Sequence, residues 1–121
     1  MDKKIKIALA QLNPLVGDVL GNVKKLITIR SRLDRDVDVL VVPELYISGY
    51  PIDDLVLRED FLSLVESEIK KLVEITKDGK SAIIFGAPRK DKTVIKNSVY
   101  VIEDGRIVAI RDKYELPNTG V

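Results

Sequence analysis

The sequence predicts an α/β fold: a parallel core followed by an antiparallel hairpin. Three observations predict it. An apolar run, an amphipathic stretch and a second apolar run follow one another within about forty residues, the length of a βαβ unit. A second amphipathic stretch and a third apolar run come next. Finally, Glu103-Asp104-Gly105-Arg106 separates two alternating apolar segments.

The elements follow in chain order. Lys4 to Leu12 alternates lysine and isoleucine and then turns apolar through Ala8, Leu9 and Ala10, as a strand does that starts at an exposed edge and runs inward. Asn13-Pro14 and Val16-Gly17-Asp18 are turn chemistry. Asn22 is the expected cap of a helix whose apolar stripe is Val23, Leu26, Ile27 and Leu33. Val37 to Val42 is mostly β-branched and, past Asp38, continuously apolar, which reads as a strand covered on both faces. Two strands joined by one helix belong to one sheet. Asp60 to Thr76 places Phe61, Leu62, Val65, Ile69, Leu72 and Val73 at helical spacing, and Asp78-Gly79 ends it. Ser81 to Phe85 is a third buried strand, with Gly86-Ala87-Pro88 as its stop. Asn97 to Ile102 and Ile107 to Ile110 form the hairpin, because a type I′ turn needs positive φ at both central residues and Asp-Gly supplies it.

Composition narrows the chemistry. Among 121 residues there is no histidine, cysteine or tryptophan, and 20 basic side chains face 19 acidic ones. Imidazole, thiolate and Cys/His zinc chemistry are therefore excluded within these residues. The balanced, scattered charge gives no reason to expect nucleic acid or a membrane surface as a partner. No apolar run approaches the ~20 residues that span a bilayer, and the start lacks a signal peptide's core, so the expected location is the cytoplasm.

One carboxylate stands out. In Asp38 to Pro51 (DVLVVPELYISGYP), a buried strand runs through Pro43 into Glu44. Reactive groups of open α/β sheets collect beyond the carboxyl ends of strands, where partial desolvation lifts a carboxyl toward general-base duty. Equally, Glu44 suits a cap of a following helix or the strand's exit into water. Asp53, Asp54, Glu59 and Asp60 fit the charged start of the next helix, and Tyr46 and Tyr50 fit core or loop packing.

Three stretches together resemble one family: AQLNPLVGD at Ala10 to Asp18, PELYISGYPIDDLVLR at Pro43 to Arg58 and DKYELPNTGV at Asp112 to Val121. They are similar to the amino-terminal glutaminase domain of glutamine-dependent NAD synthetases, a branch of the nitrilase superfamily of carbon-nitrogen hydrolases. The similarity takes in Phe85 to Pro88 and the segment Asn97 to Val108. It implies a four-layer α-β-β-α sandwich, of which residues 1–121 would form about the first half, with the synthetase domain absent. It also implies a Glu, Lys and Cys triad that hydrolyses glutamine through a thioester.

Carried over by motif, the general base is Glu44 and the lysine that stabilises the oxyanion is Lys113, which alone would read as a surface charge after a strand. The pocket-framing tyrosine falls on Tyr50. Thr119 stands where the family usually has a tyrosine. No cysteine is present to serve as nucleophile, so the resemblance implies a fragment inactive alone. Glutamine is the implied substrate of the complete domain. No cofactor is implied here, since ATP and deaminoNAD would bind the synthetase domain. A fragment of another nitrilase-branch amidase and a non-catalytic assembly subunit are the alternatives. Half a sandwich exposes apolar surface and strand edges, which implies a homo-oligomer.

Overall fold

The computed structural model describes residues 4–49 and 59–115, the last two by their backbone alone. The elements are β1 (Ile7–Leu9), α1 (Val19–Ser31), β2 (Val39–Val41), α2 (Glu59–Ile75), β3 (Ala82–Asp91), β4 (Val94–Glu103) and β5 (Arg106–Glu115). A 3-10 turn at Thr76–Asp78 extends α2 and closes on Gly79 at φ 73°.

The strands form one sheet in the order β1-β2-β3-β4-β5. β1, β2 and β3 are parallel, with Ile7 beside Val39 and Val39 beside Ala82. β3, β4 and β5 are antiparallel, and Asp104 (φ 52°) and Gly105 (φ 76°) make the last turn with the positive angles the Asp-Gly pair predicts. The α/β reading therefore holds: this is a mixed five-stranded sheet carrying two helices.

Side-chain alternation divides the sheet into two unlike faces. Leu40, Ile83, Phe85, Tyr100 and Ile102 point to the face on which α1 and α2 lie, and all are buried with Val23, Leu26, Val65, Ile69 and Leu72. Phe85 and Tyr100, paired across β3 and β4, stack with ring centroids 5.2 Å apart. The opposite face carries Ile7, Leu9, Val39, Val41, Ile84, Val99 and Val101. None of these is buried, and Leu9 is 76% exposed. No described helix packs on these seven residues, although Leu62 of α2 reaches Leu45 and Ile95. Among the described residues, one sheet and one helix layer are present out of the four layers of a nitrilase-type sandwich.

Three local readings need correction. β1 is shorter than Lys4 to Leu12 and remains an edge strand, with Ile7 and Leu9 exposed. The cap of α1 is Asp18, whose Oδ1 accepts from the Gly21 amide at 3.0 Å. Asn22 lies inside the helix, 3% exposed, and its amide ties two loops together: Oδ1 accepts from the Leu15 amide, and Nδ2 donates to the Leu15 and Ile47 carbonyls. Asp18 sits at the end of the turn and satisfies an amide that would otherwise be orphaned, whereas Asn22 is spent on tertiary bonds.

Nor does β3 stop at Phe85. Ile84 and Gly86 offer their carbonyls to Val42 and Ile47 on the β2 side, so by alternation the nitrogen of Pro88 also faces that side. β2 has already ended there, and the missing N–H removes no bond to β4.

Behind the sheet, Arg30 on α1 locks the start of β3. It is 6% exposed and makes a two-pronged pair with Asp78, both contacts 2.9 Å, while Nε and NH2 donate to the Ser81 carbonyl. The guanidinium holds the Asp78 carboxyl down at about 2.

Candidate functional site

The segment after β2 is shaped by its neighbours. Val42 continues the ladder by donating to the Ile84 carbonyl; Pro43 ends it. Pro43 to Ile47 then turns across the open face of β3, with Leu45 fully buried at φ 51°, an angle uncommon for a side chain of its kind. The Ile47 amide donates to the Gly86 carbonyl. A Cβ on Gly86 would lie 2.4 Å from the Leu45 nitrogen and 3.1 Å from the Glu44 Cα. Glycine at 86 is therefore what lets the Glu44 backbone rest on the sheet.

Glu44 points from this turn toward β4 and β5. Its Oε1 accepts from Lys113 Nζ at 3.2 Å and from Asn97 Nδ2. The carboxylate is 44% exposed and the lysine 56%. Neither a helix cap nor a strand's exit into water describes this carboxylate, whose bonds go to residues 53 and 69 positions away.

Lys113 reaches it through a β-bulge. Asn97 pairs with Tyr114 and Ser98 with Asp112, which leaves Lys113 as the extra residue of β5. Bulges re-aim side chains at such points. Asp112, on the helix side, pins the bulge: it accepts from Ser98 Oγ at 2.6 Å and from both Nε and NH2 of Arg89. The Ser98 hydroxyl and the Arg89 guanidinium hold its carboxyl at about 2.

Glu44 and Lys113, predicted from motifs 69 residues apart, are thus in contact. Tyr50, Thr119, Asp53 and Asp54 lie outside the described residues. Glu59 pairs with Lys90 across to β3, and Asp60 accepts from the Phe61 amide in the first turn of α2. Tyr46 is core: it is fully buried, its hydroxyl donates to the Asn22 carbonyl, and burial pushes the phenol up to about 12.

Asn97 is the site residue that sequence reasoning passed over. Its signal was the polar pair Asn97-Ser98 inside an otherwise apolar strand run. Among the described residues no group of three or more acidic side chains is arranged to hold a metal ion.

A cation beside a carboxylate at a strand end, on the rim of an uncovered sheet face, suits proton transfer next to a developing oxyanion. Comparison with known proteins places the chain in a family. The carbon-nitrogen hydrolase family profile matches residues 6–120. A glutamine-dependent NAD(+) synthetase of Thermotoga maritima is 39% identical over 120 residues, covering 98% of this chain and 21% of the relative. One from Xanthomonas campestris is 37% identical, with 97% and 21% covered.

Among solved structures, the glutamine-dependent NAD+ synthetase of Acinetobacter baumannii superposes with a TM-score of 0.84 at 31% identity, covering 97% of this chain and 22% of that one. An amidase from Nesterenkonia sp. superposes at 0.76 with 18% identity and shares the fold alone. This chain spans about a fifth of the length of the curated relatives it matches. By sequence and by fold, it belongs to the carbon-nitrogen hydrolase family.

Proposed function

We propose that these residues carry the general base and the oxyanion lysine of a glutaminase that supplies ammonia to a glutamine-dependent NAD synthetase. The supporting observation is the Lys113 to Glu44 contact of 3.2 Å, in a chain 39% and 37% identical to two proteins named glutamine-dependent NAD(+) synthetase. The nucleophilic cysteine comes from outside these residues, since none lies within them.

Glu44 takes the thiol proton, and the thiolate adds to the side-chain amide carbon of glutamine. Negative charge collects on the former carbonyl oxygen, where the Lys113 ammonium offsets it. Collapse of the adduct breaks the C–N bond, and Glu44 returns the proton so that ammonia leaves and a thioester remains. Water then loses a proton to Glu44, attacks the thioester and releases glutamate and the thiol. Tyr50 and Thr119 are proposed to line the glutamine pocket. The ammonia is used at a separate site that binds ATP and deaminoNAD.

The test is ammonia release from glutamine by the domain completed with a cysteine-bearing remainder. Activity should be lost in Glu44→Gln. Full activity in that variant, or preference for an unrelated amide, would refute the assignment.

A further inference from the structure

We propose that Asn97 is a positioning residue for Glu44: its buried amide and Lys113 together clamp carboxylate oxygen Oε1, leaving Oε2 to receive the proton. This rests on the glutaminase reading for its catalytic meaning, though not for its geometry.

Asn97 is 1% exposed, on the sheet face beneath the Glu44 turn and opposite Pro88. Among the described residues, both hydrogen bonds to Glu44 go to Oε1, one from Asn97 Nδ2 and one from Lys113 Nζ. A carboxylate with one oxygen doubly engaged presents the other as its basic atom. The amide orientation follows from electrostatics, because the flipped rotamer would set Oδ1 against the carboxylate.

Two features separate Asn97 from an ordinary buried asparagine. Its Oδ1 is buried and takes no hydrogen bond among the described residues, an arrangement that costs stability and points to a role for the group. Asn22, equally buried, satisfies both ends of its amide. The donors also differ in kind. The lysine hangs from a bulge on a long, half-exposed stem, whereas the asparagine is short and fixed in the sheet. Asn97 therefore sets where the carboxylate sits, and Lys113 supplies charge. A base displaced by about 1 Å loses on the order of 100-fold in rate.

Two measurements test this. In the ¹⁵N-labelled full chain, one Asn97 side-chain amide proton should resonate well downfield of its partner, and Glu44→Gln should collapse that separation. An Asn97 amide unmoved by Glu44→Gln would overturn the clamp. In the domain completed with a cysteine-bearing remainder, Asn97→Leu should lower kcat for glutamine hydrolysis about 100-fold with KM within about twofold. Asn97→Ser, which keeps a small hydrogen-bonding group, should fall between Asn97→Leu and wild type. Unchanged kcat in a folded Asn97→Leu or Asn97→Ser variant would also overturn the proposal. Should the wild-type completed domain release no ammonia, the glutaminase reading fails and the amide signature still decides the clamp.

Discussion

At the scale of single residues, the site depends on a glycine as much as on its charges. Gly86 lies where any side chain would strike the Leu45 nitrogen, so Gly86→Ala must lift the Glu44 turn off β3 or strain it. A cost of about 1–3 kcal/mol is expected, read as a lower urea midpoint with an unchanged slope. Lys113 contributes little to stability, since its ion pair with Glu44 is half exposed, and in the proposed role it acts on the chemistry. Lys113→Met in the completed domain should lower kcat by a factor of about 10² to 10³ with little change in the unfolding midpoint. That Glu44 and Lys113 belong together was legible from family motifs. Asn97 was not, because a polar residue in a strand run reads as a solvated position until the structure shows the turn above it.

At the scale of elements, two ion pairs hold the framework, and both titrate in acid. Asp78 and Asp112 are each held at about 2, against an ordinary value of 3.8, chiefly by hydrogen bonds from Arg30 to the first and from Ser98 and Arg89 to the second. A lowered folded-state value means that the unfolded chain binds protons first. Their contribution is therefore complete above about pH 4 and is lost as pH falls toward 2. Acid titration followed by circular dichroism should show stability falling through that window, and Arg30→Met together with Asp112→Asn should flatten the fall.

The helices and the last hairpin were readable because periodicity and the Asp-Gly turn are local signals. The run of β3 through Pro88 was not, since it depends on which edge the proline nitrogen faces and on β2 ending before it reaches that point. The Asp18 cap was missed for a related reason: the tertiary bonds of Asn22 leave no trace in the local pattern.

At the scale of the whole molecule, one face of the sheet is finished and the other is not. Helices cover Leu40, Ile83 and Phe85, while Ile7, Leu9, Val41 and Val101 form a contiguous apolar face with no described element on it. Such a surface drives association. Sedimentation of the isolated chain should show dimers or larger species, and Leu9→Lys with Val41→Lys should shift it toward monomer while helix content is kept. A monodisperse wild-type monomer would mean that the face is covered in some other way. The Glu44–Lys113 pair lies on the rim of this same face, so whatever covers it also approaches Glu44.

The central claim is that Glu44 is the base of a glutaminase whose nucleophile comes from outside these residues. The direct test is ammonia release from glutamine, measured on the 121-residue chain alone and again with a separately expressed protein that supplies the cysteine-bearing remainder of the domain. The expected result is no turnover from the chain alone, turnover on mixing, and its loss in Glu44→Gln. Glutamine turnover by the chain alone, or a mixture that stays active with Glu44→Gln, would contradict it.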